Sequence, residues 1–169
     1  MSAITIQTER LILRALNEND CSNIRYLLKP EIESFSGPYM PHNEEQLKQH
    51  IDRIKGNTSW GILLKDNTFI GDIGVYSKVD NKIGEMAWYL DPVFCNNGYA
   101  TEACKAVINY IFNELLFVRL SAQIDINNIS SRKLAERLNF ELNAILPQAN
   151  LGGKINDIAY YSLPNNFAK

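Results

Sequence analysis

The sequence is poor in the residues that mark metal sites, disulfide scaffolds and polyanion binders. Its 169 residues hold three cysteines, Cys21, Cys95 and Cys104, and two histidines, His42 and His50. An odd number of widely spaced thiols, with no CxxC pair and no histidine nearby, excludes a framework that pairs them all and argues against zinc. Reduced thiols in a cytosolic protein are the simplest reading, so a cytoplasmic location is expected. No run of about 18 apolar residues occurs. The start, "MSAITIQTERLILRAL", lacks the basic-then-apolar order of a secretory signal. No membrane span is expected. Lysine and arginine form no run and the formal net charge is -2. The basic surface that displaces counterions from nucleic-acid phosphates is missing, so nucleic acid is not an expected partner.

What is present is a globular composition, 46% hydrophobic and 21% charged. The length suits one domain spanning 1–169 with its own core. "RLILRAL" (10–16) alternates as a strand. Asn17 to Asp20 then opens a helix, with Ile24, Leu27 and Leu28 on one face, that Pro30 stops. "KPEIESFSGPYMPHNEE" reads as a loop, and a second helix over 44–55 carries Leu47, Ile51 and Ile54 at helical spacing. "WGILL", "FIGDIGVYS" and "IGEMAWYL" form a three-stranded meander, with Lys65-Asp66-Asn67 as its first turn. A long helix follows, with Ala103, Val107, Ile111 and Leu115 at intervals of four. "VRLSAQIDI" is a further strand and "SSRKLAERLNF" a short helix that Asn139 ends. "FELNAIL" and "DIAYYSL" close the chain as strands. This order predicts an α+β, or mixed α/β, layered fold.

Between the meander and the long helix lies Cys95-Asn96-Asn97-Gly98-Tyr99-Ala100-Thr101. A Walker A loop would need Lys-Ser/Thr after its last glycine, and a dinucleotide fingerprint would need three spaced glycines. Neither is present. The residues themselves leave two readings open: a strand-to-helix turn, or an anion site. A helix N-terminus offers unpaired amides and the positive end of its dipole, and Gly98 and Ala100 keep the approach clear.

"NNGYATEA" together with "DINNISSRKLAERLNFE" resembles the GCN5-related N-acetyltransferase (GNAT) superfamily, in particular its RimJ/RimL branch of ribosomal-protein N-acetyltransferases. "TERLILRAL", "IGDIGV", "GEMAWYLDP" and "DIAYYSL" extend the resemblance over nearly the whole chain. The family's loop pattern is Q/R-x-x-G-x-G/A; Gly98 and Ala100 match it, and Cys95 stands at the Gln/Arg position. The resemblance implies a GNAT-like fold, a twisted and mostly antiparallel sheet flanked by helices. In it the strand ending at Leu90 splays from the one starting near Arg119. It implies acetyl-CoA as co-substrate, with no metal. Leu90 and the splayed edge would pair with pantetheine. Asn97, Gly98, Tyr99, Ala100 and Thr101 would cradle pyrophosphate on backbone amides, with Cys95 and Asn96 in the same cofactor-binding loop. Asn128 and Ser131 match the family's N-x-x-S, Asn near the pantetheine arm and Ser near the sulfur. Arg132 or Lys133 could reach the nucleotide phosphates. Homodimers are common in that branch.

Acetyl transfer to an amine needs a neutral nucleophile, and a carboxylate, directly or through water, is the expected helper. Glu85 stands near the position where the superfamily's histone-modifying members keep their base, with Asp72 as runner-up. Asp91, before Pro92, reads as a turn residue. Ser131 is the candidate for hydrogen-bonding the departing thiolate; alternatively Ser130 or Ser131 caps the helix. Two positions depart from the family. Ala135 stands where many members carry a tyrosine acid, and Asn150 stands where the ribosomal type tends to carry a glutamate. The favoured acceptor is a protein N-terminal α-amine. A small amine (polyamine, amino sugar or aminoglycoside) is the alternative, and a non-catalytic acyl-CoA-binding module is a third reading. His42 and His50 read as surface residues, and Trp60 and Trp88 as core. Phe35, Tyr39 and Met40 are candidate walls of the acceptor pocket.

Overall fold

The computed structural model describes residues 4–33, 41–54, 58–79, 82–151 and 154–166. Eight strands form one sheet: β1 (Ile6–Gln7), β2 (Leu11–Ala15), β3 (Thr58–Leu64), β4 (Phe69–Val79), β5 (Ile83–Leu90), β6 (Arg119–Asp125), β7 (Glu141–Leu151) and β8 (Lys154–Pro164). Their spatial order is β1-β2-β3-β4-β5-β6-β8-β7. Every described pairing is antiparallel except that of β5 with β6, so the expected mixed fold is the one observed. The first turn of the meander forms where Lys65-Asp66-Asn67 predicts it. Asn67 takes φ 68°, and the Thr68 amide donates to Asp66 Oδ1 at 2.9 Å.

Period-two alternation divides each central strand between two cores. One face, with Trp60, Ile70, Ile73, Val75, Met86, Leu120 and Ile124, packs beneath α3 (Tyr99–Asn113) and α4 (Ile129–Arg137). α3 buries Ala103, Cys104, Val107 and Ile111, and α4 buries Leu134 and Ala135, as their 3.6-residue periods require. The other face gathers Leu16, Ile24, Tyr26 and Leu27 with Leu47, Ile51 and Ile54 of α2 (Glu44–Ile54). Each fully buried aliphatic side chain contributes about 1.5–3 kcal/mol, which fixes both helical layers on the sheet.

The first helical segment differs from the reading of the sequence. Residues 18–21 and 23–28 are two tight 3-10 turns, and Pro30 opens a short helix, α1 (Pro30–Glu33), instead of only stopping one. A local network of donors gathers on Asp20 here. Asp20 receives Arg14 at 2.7 and 2.8 Å, the Asn17 amide at 3.0 Å and Asn23 Nδ2 at 2.9 Å. Burial alone would raise the Asp20 pKa; these donors outweigh it and lower it. His50 is buried, not a surface residue, whereas His42 is exposed. Leu115 lies just past the end of α3. Trp60 is enclosed, with its Nε1 donating to the Ile4 carbonyl at 2.7 Å, while Trp88 is half-buried against the same core.

Candidate active site

The pairing of β5 with β6 covers only Ile83–Glu85 against Arg119–Ser121. Beyond it β5 stays on β4 through Leu90, while β6 stays on β8 through Asp125. Residues 86–90 and 122–125 therefore border a wedge whose facing backbone groups do not pair with each other. An extended ligand with amide groups can add to such edges as a strand does. Because β5 and β6 run parallel, both open at their C-terminal ends on the same side of the sheet. Open α/β sheets bind ligands at such a crevice.

The segment after β5 is built to turn sharply. Asp91 caps the 3-10 turn 92–94, accepting from the Val93 amide at 3.2 Å and from Lys29 Nζ at 2.6 Å. This is the turn role that Asp-Pro predicts. Asn96 takes φ 64° and Gly98 φ 80°, so the two residues that tolerate the left-handed region occupy it. Asn97 folds back, its Nδ2 donating to the carbonyls of Cys95 and Phe94 at 3.0 and 3.2 Å. Its side chain braces the loop. Gly98 is the N-cap of α3, so the first-turn amides of Tyr99, Ala100 and Thr101 have no intrahelical acceptor. Cys95 is exposed; partial burial, then the Asp91 charge, push its thiol pKa up, which makes it a poor nucleophile.

The segment after β6 begins α4. Asn128, not either serine, caps it: its Oδ1 accepts from the Ser131 amide at 3.1 Å. The Ser131 hydroxyl has no hydrogen bond to another described residue, and the side chain is half-buried. Arg132 is tied to Tyr161 Oη at 3.2 Å and to the Ile126 carbonyl at 3.1 Å, whereas Lys133 is exposed. Ala135 is buried, and the side chain of Asn150 lies outside the described residues, as do Phe35, Tyr39 and Met40.

Glu85 stands where the wedge opens, the last β5 residue paired to β6. Its Oε2 accepts from Gln123 Nε2 of β6 at 3.2 Å, across the vertex. Glu85 and Tyr89 lie on the face opposite Met86 and Trp88, which is the face of Tyr26 and α2. Leu90 is five residues further, about 17 Å along an extended strand.

Asp72 is a different kind of carboxylate. It pairs in register with Tyr89 and is 4% exposed, enclosed beneath Tyr26, whose hydroxyl donates to Asp72 Oδ1. Burial raises its pKa from 3.8 to about 7, against the Tyr26 hydrogen bond, which lowers it. The same burial, with the charges of Asp72, Tyr89 and Asp91, raises Tyr26, so the shared proton stays on the phenol.

Two partnerships escape sequence reasoning. Tyr26 meets Asp72 across 46 residues. At the other side of the loop, Glu102 of α3 accepts from Thr8 Oγ1 at 2.6 Å, from the Arg10 amide at 2.9 Å and from Arg10 Nε at 2.7 Å. An acidic residue in a helix's first turn was the available signal, since it favours the dipole. A groove of about 540 Å³ between residues 4–6 and α3, lined by Ala106, Tyr110 and Leu115, lies at the opposite end of that helix.

Comparison with known proteins bears on the family and the fold. The family described as "Acetyltransferase (GNAT) domain" matches residues 10–141. The uncharacterized N-acetyltransferase YnaD of Bacillus subtilis (strain 168) is 27% identical over 137 residues, covering 79% of this chain and 80% of its own length. The crystal structure of a GNAT-family acetyltransferase from Bacillus anthracis superposes with a TM-score of 0.88 at 22% identity, over 96% of this chain and 99% of that one. RimL, a ribosomal L7/L12 alpha-N-protein acetyltransferase solved in complex with coenzyme A, superposes with a TM-score of 0.81 at 20% identity, over 95% and 97%. At these identities the two solved structures establish a shared fold.

Proposed function

The chain belongs to the GNAT family of N-acetyltransferases, and from that premise we propose that it acetylates a protein N-terminal α-amine with acetyl-CoA bound in the β5–β6 wedge. The observation that carries the donor half is the wedge itself, closed at Glu85 and ending at the Gly98 cap of α3. The α3 amides suit a pyrophosphate, and the open edges of 86–90 and 122–125 suit the amides of a pantetheine arm.

The chemistry then divides among this chain's own groups. Glu85 takes a proton from the acceptor ammonium, directly or through one water, with Gln123 orienting its carboxylate. The amine nitrogen attacks the thioester carbon, and a backbone N–H on the splayed edge of β5 stabilises the oxyanion. As the C–S bond breaks, the attacking nitrogen gives up its second proton to solvent and Ser131 donates a hydrogen bond to the thiolate, which is then protonated from solvent. Asp72 is set aside as the base because it is enclosed and level with Tyr89, away from the vertex. The α-amine is favoured over lysine because its pKa, about 7.7–8.0 against about 10.4, leaves roughly a tenth of it neutral at pH 7. The RimL likeness points the same way.

The test is CoA release with acetyl-CoA and four acceptors side by side: a free-N-terminus peptide, its Nα-blocked lysine counterpart, a polyamine and an aminoglycoside. The free N-terminus should react at least tenfold faster than the others. Thiol release with none of them sinks the enzyme reading, and a faster polyamine or aminoglycoside sinks the acceptor.

A further inference from the structure

Arg10 occupies a position that electrostatics alone disfavours. Its guanidinium stacks on Tyr99, the carbon 4.7 Å from the ring centroid, at the positive end of α3. A cation there opposes the helix dipole. Glu102 offsets part of that cost through Nε at 2.7 Å, and the Asn97 carbonyl accepts from Nη1 at 3.0 Å. Burial would raise the Glu102 pKa, but the bonds from Thr8 and Arg10 outweigh it and lower it, so the carboxylate is charged. Nη2 remains. It has no hydrogen bond to another described residue, and it lies 3.4 Å from where a Cβ on Gly98 would stand. The guanidinium is thus clamped on two nitrogens and points the third along the glycine that caps the helix.

We propose that Arg10 is a phosphate-binding residue, presenting Nη2 to the pyrophosphate of acetyl-CoA beside the α3 amides; the proposal rests on the donor reading above. Arg10 and the helix terminus, which repel each other in the free protein, both gain from an intervening anion. That arrangement also explains why the loop can carry Cys95 where the resembling family has Gln or Arg. The positive charge arrives from the start of β2, 85 positions earlier in the sequence.

The experiment compares wild type, R10Q, R10K and E102Q by calorimetry with CoA and 3′-dephospho-CoA, and by kcat/KM with acetyl-CoA and S-acetylpantetheine. R10Q should weaken CoA about 10- to 30-fold, and 3′-dephospho-CoA equally, while kcat/KM for S-acetylpantetheine stays within about threefold. R10K should recover part of the loss, and E102Q should bind CoA within threefold of wild type or more tightly. Raised salt should weaken CoA more in wild type than in R10Q, because the lost interaction is ionic. If E102Q loses as much as R10Q, Arg10 only braces the loop and the proposal is overturned. It is overturned equally if R10Q loses as much with S-acetylpantetheine, or if its loss disappears with 3′-dephospho-CoA. Urea midpoints of all four proteins exclude unfolding as the cause. Wild type that binds no CoA refutes the donor reading itself; wild type and R10Q that bind it equally refute only the role of Arg10.

Discussion

The most quantitative consequence of the structure concerns Asp72, a carboxylate enclosed on the face that bears Tyr26 and α2. Its pKa rises from 3.8 to about 7 because burial disfavours the charge more than the Tyr26 hydroxyl supports it. The folded protein therefore holds a proton here that the unfolded chain releases near pH 4. Between those limits the native state binds more protons than the unfolded state, so stability falls as pH rises. The loss begins near pH 4 and is complete above pH 7. At about 1.4 kcal/mol per unit, the raised pKa of Asp72 lowers stability by ~4 kcal/mol at pH 8 and ~1.5 kcal/mol at pH 5 relative to acid. Asp72→Asn removes the titration and keeps an acceptor for Tyr26. Urea denaturation of both proteins should show the variant gaining ~2.5 kcal/mol on wild type between pH 5 and pH 8. Tyr26→Phe should do the reverse, deepening the loss and moving its midpoint to higher pH, since the carboxylate then lacks its donor. Parallel stability curves for wild type and Asp72→Asn would refute the reasoning, because they would mean Asp72 titrates alike in both states.

Other consequences test the site directly. Glu85→Gln should lower kcat about 10²- to 10³-fold in the CoA-release assay, while leaving the CoA affinity unchanged. Gly98→Ala forces a side chain to φ 80° and should cost about 1 kcal/mol of stability by urea titration, with a matching loss of CoA affinity. Asn128→Ala removes the cap of α4 and should cost about 1 kcal/mol, whereas Ser131→Ala should leave the urea midpoint in place and lower kcat by tenfold or less.

The sheet and the two long helices were legible because their signals are local. "GEMAWYL" alternates and "EACKAVINYI" has a helical period, and each meets one packed face and one outer face. Asn-Asn-Gly was legible for the same reason, since Asn96 and Gly98 take left-handed φ values that few other residues accept. What did not read from the sequence depends on which side chains meet, whether near or far along the chain. Residues 17–28 have the spacing of an α-helix, yet the four donors gathered on Asp20 pull them into 3-10 turns. His50 follows the polar pattern of α2 but is buried beside Ile51 and Ile54. Arg10 reaches Glu102 across 92 residues, and no periodicity announces that. Asn128 reads as a ligand contact by resemblance, and its oxygen proves to be engaged in capping α4.

These two kinds of legibility correspond to two halves of the site built by different means. The donor half, as proposed, would rely on backbone: unpaired strand edges, the φ of Gly98 and the first amides of α3. Such a half constrains few side chains, and the chain retains the fold of the Bacillus anthracis acetyltransferase at 22% identity. The other half, as proposed, would rest on side chains brought together from separate elements, Glu85 of β5 and Gln123 of β6. There a single substitution changes a charge or a proton, so chemistry and acceptor choice depend on residues that the fold leaves free to vary. It follows that resemblance between chains of this fold is stronger evidence for the acetyl donor than for the amine that receives it.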